Sequence, residues 1–281
     1  MRIDLHTHST ASDGRESPAE VIAAAVQTGL DVVALTDHDT TAGWAEAAAA
    51  AEREGIALVR GIEISCKDNG ISIHLLGYLH DPSASGLLDE LERSRESRTG
   101  RAQRIVERIS QDLPLDWDDV LRQIGPGATI GRPHIADAMV DKGIVDSRDE
   151  AFRDYLYSGS PYYATHYAVD AVQAVRLVVE AGGVAVMAHP LASKRGRVVD
   201  DSVIESMAEA GMAGLEVHHR DHTAEQVRHG LDLAASLDLF VTGSSDYHGD
   251  GKVNRLGENM TDPLVLQQIE DRSTGVEVLW P

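Results

Sequence analysis

Seven short apolar runs, each closed by turn-forming or ionisable residues, punctuate the chain. They are Ile3 to His6, Asp31 to Asp37, Leu58 to Glu63, Ser72 to Tyr78, Val184 to His189, Gly214 to His218 and Phe240 to Asp246. Runs such as Val32-Val33-Ala34-Leu35 lack the alternation of a half-solvated strand and suit strands buried on both faces. Between most of them, apolar residues recur at helical spacing, over Ser17 to Thr28, Ala42 to Glu54, Ala168 to Ala181 and Ala224 to Leu237. Ser17 reads as an N-cap and Pro18 as the first helical residue. Strand and helix in alternation predict parallel βαβ units, and hence a parallel α/β barrel.

The stretch from about Pro82 to Tyr167 breaks this rhythm, with no convincing core strand. It reads as a long charged helix (Gly86 to Asp112) followed by shorter ones around Asp116 to Gln123, His134 to Lys142 and Asp149 to Tyr157, broken by Gly125-Pro126-Gly127. The expected organisation is a barrel from residues 1–100 and 165–281, with a helical insertion at 101–164 covering the active-site face. The Glu/Arg-rich run from Glu90 to Arg108 reads as a solvated helix face.

Composition narrows the partners. A chain of 281 residues with 42% hydrophobic content can bury a full core. A formal charge of −21 argues against duplex nucleic acid as a partner, because phosphate neutralisation needs clustered cations. The single cysteine, Cys66, suits a reducing compartment, and the first residues read as a core strand rather than a leader. No apolar run is long enough to span a bilayer, so a soluble cytoplasmic protein without a membrane partner is expected, its oligomeric state left open.

The chemistry gathers at the strand ends. The first offers His6 and His8, whose two-residue spacing points both rings to one face, with Asp13 in the next loop. The second ends in Asp37-His38-Asp39, the third carries Glu63 and the fourth His74. The fifth stops at His189-Pro190, the sixth runs into His218-His219-Arg220-Asp221-His222 and the seventh into Asp246-Tyr247-His248. In an α/β barrel the C-terminal rim holds the site, so these side chains converge on one cavity. Nitrogen and oxygen donors without thiolate suit Mn, Zn or Fe, and their number suggests two or three divalent ions. Glu63, an acid inside an apolar strand, is the natural bridge between ions.

The motifs Asp4-Leu5-His6-Thr7-His8-Ser9, Leu35-Thr36-Asp37-His38-Asp39, Gly61-Ile62-Glu63, His74-Leu75-Leu76-Gly77-Tyr78, Ala188-His189-Pro190 and Ser245-Asp246-Tyr247-His248-Gly249 resemble those of the PHP (polymerase and histidinol phosphatase) family. The resemblance implies a distorted seven-stranded (β/α)7 barrel with up to three divalent ions, manganese being the expected metal. It further implies one ion held by His6, His8, Glu63 and Asp246, a second by Glu63, His74 and His189, and a third by Asp13, His38 and His248. Many relatives have histidine where Asp13 stands. The insertion motif Gly131-Arg132-Pro133-His134-Ile135-Ala136 resembles the subgroup that includes 3′,5′-nucleotide bisphosphate phosphatases and enzymes trimming RNA 5′ ends.

The expected reaction is hydrolysis of a small nucleotide phosphate by hydroxide generated on the ions, which needs no serine or cysteine nucleophile. The substrate class that the resemblance implies is a 3′,5′-bisphosphonucleoside such as adenosine 3′,5′-bisphosphate, expected to lose its 3′ phosphate. Histidinol phosphate and short 5′-phosphorylated oligonucleotides are the alternatives, and a metal-braced binding module is the non-enzymatic one. His189 is favoured over His134 as a ligand, which leaves His134 as substrate contact and candidate proton donor. Asp37 is expected to orient a ligand, and Arg132 to grip phosphate through its planar guanidinium. Lys194 and Arg197 after the fifth strand, with Lys252 and Arg255 after the seventh, are candidates for an outer phosphate, and Tyr167 and His222 for further substrate contacts. The tyrosines from Tyr155 to Tyr167 read chiefly as packing between insertion and barrel.

Overall fold

The computed structural model describes residues 1–125 and 127–281; the predicted break at Pro126 lies outside the described residues. The strands are β1 (Ile3–Asp4), β2 (Val32–Leu35), β3 (Ala57–Asp68), β4 (Ile71–Tyr78), β5 (Val169–Asp170), β6 (Val184–Met187), β7 (Gly214–His218) and β8 (Phe240–Gly243). Seven of them form a barrel in the order β1-β2-β3-β4-β6-β7-β8, with β5 pairing outside it on the end of β3. A bridge between Thr7 and Tyr247 brings the two edges together, with the His8 N–H donating to the Tyr247 carbonyl over 2.8 Å. The fold is therefore a nearly closed seven-stranded α/β barrel.

One feature departs from the parallel expectation. β4 runs antiparallel to both β3 and β6, because β3 and β4 form a hairpin with no crossover helix. Its loop is Asn69-Gly70, both at positive φ (43° and 78°), which is the two-residue turn that matches strand twist. The reversal carries His74, in the first half of β4, to the rim opposite Ser65 on β3.

The helices α1 (Pro18–Thr28), α2 (Trp44–Glu54), α7 (Ala171–Glu180) and α9 (Ala224–Ser236) fall where apolar spacing predicts them. α1 starts with a reciprocal Ser17–Glu20 capping box and ends on Gly29 in the left-handed region. Two further helices, α8 (Asp201–Glu209) and α10 (Pro263–Arg272), complete the outer layer. Ile3, Leu5, Val32, Ala34, Val59, Leu76 and Val186 fill one apolar cluster of the barrel. Ile62, Ile64 and Leu75 face a second one under Val175 and Val178 of α7.

The insertion comprises α3 (Ser85–Ile109), α4 (Trp117–Leu121), α5 (Arg132–Asp141) and α6 (Arg148–Asp154). Residue 100 falls inside α3, which serves two cores: Leu87 and Leu91 join the barrel, whereas Ala102, Ile105 and Ile109 join a separate cluster with Ile135, Met139 and Ala164. The helix keeps a solvated face, with Glu92, Arg93, Glu96 and Glu107 exposed, yet several of its arginines also bind the chain beside it. Arg101 is buried and donates to the Ala164 carbonyl (3.0 Å), Arg104 donates to that of Thr165 (2.9 Å), and Arg108 reaches that of Tyr163. These arginines fasten the chain leaving the insertion to α3. The insertion also meets the loop after β1, where the Thr129 N–H donates to the Ala11 carbonyl (3.0 Å) and Arg15 pairs with Asp137 (2.6 Å). Among the described residues no helix is long and apolar enough to cross a membrane.

Candidate metal centre and active site

Glu63, 1% exposed and halfway along β3, has five imidazoles around its carboxylate. His74 Nδ1 lies 2.8 Å and His189 Nε2 3.2 Å from Oε1. His38 Nδ1, His8 Nε2 and His6 Nε2 lie 3.0, 3.1 and 3.3 Å from Oε2. Asp246 presents Oδ1 to the same two rings, 3.6 Å from His6 and 3.5 Å from His8. On the far side of His8, Asp13 Oδ1 is 3.2 Å from His248 Nε2, and its Oδ2 is 3.8 Å from His38 Nε2.

The arrangement follows from local backbone geometry. Strand alternation sets His6 and His8 side by side, with their Nε2 atoms 3.0 Å apart. His189 and Asp246 both stand at positive φ (33° and 53°), so the chain turns sharply just past β6 and β8 and swings these groups inward. Such strained backbone persists where the surrounding structure holds it.

This cluster fits divalent ions on its own chemistry. Glu63 Oε2, Asp13 Oδ1, His38 Nδ1 and His248 Nε2 are buried without a hydrogen-bond partner, which is costly in a low-dielectric interior unless a cation takes up their lone pairs. Three sets offer donor atoms within 4.8 Å of one another: His8, Asp13, His38 and His248; His6, His8 and Glu63; and His38, Glu63 and His74. His189 and Asp246 border these sets through their contacts with Glu63, His6 and His8. All donors are nitrogen or oxygen, a set that suits Mn, Zn or Fe.

Buried groups behind the donors orient them. Glu216, absent from the sequence-based candidates, accepts from His6 Nδ1 (2.9 Å) and from the His189 backbone N–H (2.9 Å), and also receives the Ser244 hydroxyl. Burial pushes its pKa up, but the charge and hydrogen bond of His6 prevail and hold it at about 2. Its signal was available: it is an acid inside the apolar run Gly214-Leu215-Glu216-Val217, as Glu63 is in its own strand. Asp37 accepts from the Ser9 N–H and hydroxyl and from the Ser12 hydroxyl, each over 2.7 Å. Ser12 in turn lies 3.4 Å from His8 Nδ1, so Asp37 braces the loop that carries His8.

The cations separate into several environments. Arg195, between the two predicted residues, reaches Asp246 Oδ2 (2.5 Å) and Asp221 (2.7 Å), and Lys252 joins Asp246 Oδ2 at 3.1 Å. Lys194 and Arg197 instead stand exposed at the surface. Arg132 lies in the insertion wall, donating to the Leu156 carbonyl (2.7 Å) with its guanidinium over the rings of Phe152 and Tyr163. His134 Nδ1 accepts from the Gly131 N–H (3.1 Å), which sets the tautomer with its proton on Nε2. Burial lowers the pKa of this ring, keeping it neutral. Tyr167 is flanked by Arg93 and Lys67, 3.8 and 5.7 Å from its ring centre. His222, expected as a substrate contact, bonds through Nδ1 to the Val217 carbonyl (2.8 Å) and accepts at Nε2 from the Leu191 N–H (3.1 Å), so its ring clips two loops together.

A barrel whose rim gathers imidazoles and carboxylates around one bridging glutamate defines a metal-dependent hydrolase of the α/β-barrel class. The chain belongs to the PHP domain family, whose model matches residues 4–113. It is 36% identical over 254 residues to a 3′,5′-nucleoside bisphosphate phosphatase of Chromobacterium violaceum, covering 90% of this chain and 89% of that protein. It is 33% identical over 261 residues to a 5′-3′ exoribonuclease of Haemophilus influenzae, covering 92% and 94% of the two chains. Among solved structures, a protein from Bifidobacterium adolescentis assigned as a metal-dependent phosphoesterase superposes with a TM-score of 0.95 at 43% identity, over 98% of this chain and 96% of its own. The protein is thus a metal-dependent phosphoesterase.

Proposed function

We propose that this phosphoesterase removes the 3′ phosphate from 3′,5′-bisphosphonucleosides, leaving the 5′ monophosphate. The observation that carries the chemistry is the Glu63 carboxylate ringed by five imidazoles with buried, unpartnered donor atoms beside it. In this function His6, His8, Glu63 and Asp246 hold one ion, Glu63, His74 and His189 a second, and Asp13, His38 and His248 a third, with manganese the expected metal. When bound, such ions supply Lewis acidity, making water ionise near neutral pH and neutralising phosphoryl oxygens.

The remaining work belongs to the chain itself. Glu216 fixes the tautomer and angle of His6, as carboxylates behind ligating histidines do. Arg195 and Lys252 sit on the outer oxygen of Asp246, adding positive charge at the edge where a phosphate dianion approaches. The 3′ oxygen leaves as an alkoxide and takes its proton from water to become the 3′ hydroxyl; His134, neutral and with its proton on Nε2, is the hydrogen-bond donor that stabilises the departing oxygen, while Arg132 lies two residues away on the same insertion helix. Support for the substrate comes from the similarity to the C. violaceum bisphosphate phosphatase.

Incubating the Mn-supplemented protein with adenosine 3′,5′-bisphosphate, histidinol phosphate and short 5′-phosphorylated oligoribonucleotides, and following phosphate and mononucleotide release, tests the assignment. The expected outcome is free phosphate with adenosine 5′-monophosphate from the bisphosphate at the highest kcat/KM. Preferred release of mononucleotides from the oligomers would replace this reading with the exoribonuclease one, which the H. influenzae relative favours.

A further inference from the structure

The stretch from Ala11 to Arg15, with Asp13 at its middle, is held from the insertion as well as from the barrel. Thr129 donates its N–H to the Ala11 carbonyl (3.0 Å), Arg148 Nη1 donates to the Asp13 carbonyl (3.3 Å), and Arg15 Nη2 meets Asp137 Oδ1 (2.6 Å). Arg148 is also forked onto Asp137, with Nε 2.6 Å from Oδ1 and Nη2 2.5 Å from Oδ2. Asp137 on α5 thus takes one arginine from the barrel loop and one from the start of α6.

Arg148 touches a second ligand-bearing loop. A Cβ at Gly251 would overlap its guanidinium, so the absence of a side chain there lets Arg148 lie against the turn that follows His248. The two loops are themselves joined, because the Arg15 N–H donates to the His248 carbonyl (3.1 Å). Arg148 therefore braces the loops of both Asp13 and His248, whose Oδ1 and Nε2 are buried, unpartnered and 3.2 Å apart.

The ion pair is nearly out of water, with side chains 5% (Asp137) and 11% (Arg148) exposed. Such a pair adds little net stability, since desolvating both charges offsets their attraction, but a planar fork fixes one geometry. Its effect here is on placement. Asp137 stands three residues beyond His134 on α5, so the two share a face of that helix. Other donors are placed from within the barrel: Glu63 and His74 stand on strands, and Glu216 on β7 anchors His6 and His189.

Resting on the ion set of Asp13, His38 and His248 proposed above, we infer that Arg148 and Asp137 are positioning residues for that ion, and that its binding is coupled to docking of the insertion. Order imposed on Asp13 and His248 passes through Arg148 to α6 and through Asp137 to α5, and so to His134. Such coupling is reciprocal: a docked insertion strengthens binding of the ion by the same factor as the ion strengthens docking. Ions on Glu63, His6, His74 and His189 lie outside this linkage.

The test is calorimetric titration of metal-free protein with Mn, with elemental analysis of the ions retained, in wild type, Arg148→Gln, Asp137→Asn and Asp13→Ala. Asp13→Ala identifies the ion concerned. In Arg148→Gln and Asp137→Asn that ion is expected to bind about tenfold more weakly, and the others within about twofold of wild type. Hydrogen exchange gives a second readout: Mn is expected to slow exchange over α5 (Arg132–Asp141) in the wild type and to lose that effect in both variants. Arg15→Gln, altering a side chain 41% exposed, replaces a buried variant that does not fold, with the same selective loss expected in smaller measure. Unchanged affinity for the marked ion in folded variants, equal weakening of every ion, or protection of α5 that persists in them overturns the coupling and leaves the ion set standing. Loss of no ion in Asp13→Ala would refute the set itself, and the coupling with it.

Discussion

His6 Nδ1 lies 2.9 Å from Glu216 Oε1, with both side chains fully buried, so the ring that faces Glu63 through Nε2 is anchored from behind by a second carboxylate. Glu216→Gln keeps the shape and removes the charge. Metal affinity is expected to fall roughly 10–100-fold, the usual consequence of losing a carboxylate behind a ligating histidine. Competition titration against a fluorescent chelator measures it, with circular dichroism to show that the fold is kept. An unchanged affinity would mean that Glu216 has only a packing role.

Chelation is expected to abolish phosphoester hydrolysis, and manganese to restore it. It should also lower the melting temperature, since Glu63, Asp13 and Asp246 gather in one buried site. For an ion at a hundredfold excess over its dissociation constant the stabilisation is about 2.7 kcal/mol. At about 2 °C per kcal/mol for a chain of this size, a shift of roughly 5 °C follows. Differential scanning calorimetry with and without chelator checks it; identical melting curves would argue against ions at this cluster.

Much of this arrangement is legible in the chain because both signals are local. Continuous apolar runs mark the buried strands, and His6, His8, Glu63 and His74 announce themselves as polar residues within or just after such runs. The antiparallel β4 was also written there, since Asn69-Gly70 between apolar runs is a strong hairpin signal, but the surrounding βαβ rhythm masks it. Glu216 escapes for a different reason: Gly214 to His218 ends in a run of histidines that draws attention from the acid before them. Tertiary placement hides the rest. Nothing local distinguishes Arg195, which turns in to Asp246, from exposed Lys194 and Arg197. Arg98 and Arg101 share a mixed-charge helix whose sequence resembles a solvated face; in the fold Asp39 and Ser65 meet the first, and the Ala164 carbonyl in the loop before β5 meets the second.

Gly14 supports the loop that carries Asp13. A Cβ built there would lie 2.5 Å from the His8 carbonyl oxygen and 2.9 Å from the Ser9 carbonyl carbon, both backbone atoms that cannot rotate away. Gly14→Ala therefore has to displace the segment between His8 and Asp13. A loss of roughly 1–3 kcal/mol is expected from such overpacking, with activity falling further than stability because His8 and Asp13 move together. Urea unfolding and steady-state kinetics on one preparation separate the two effects; wild-type values in both would show that the loop accommodates the methyl group.

His80 sits at the opposite end of β4 from the metal centre, fully buried, its ring centre 4.9 Å from that of Trp44 and both ring nitrogens without a side-chain hydrogen-bond partner. Burial lowers its pKa from 6.5 to about 4. The folded state therefore binds this proton more weakly than the unfolded chain. Its neutral form contributes full stability above the unfolded value near 6.5, and that contribution drains away as pH falls toward about 4. At about 1.4 kcal/mol per unit, the loss over this window is roughly 3 kcal/mol. His80→Leu removes the titration, so its stability is expected to fall less than the wild type's between about pH 7.5 and pH 4.5, by roughly 2–3 kcal/mol. Comparing the two proteins by urea unfolding at each pH cancels the other histidines, which they share. Parallel pH profiles would show that His80 is protonated as easily in the folded state as in the unfolded one.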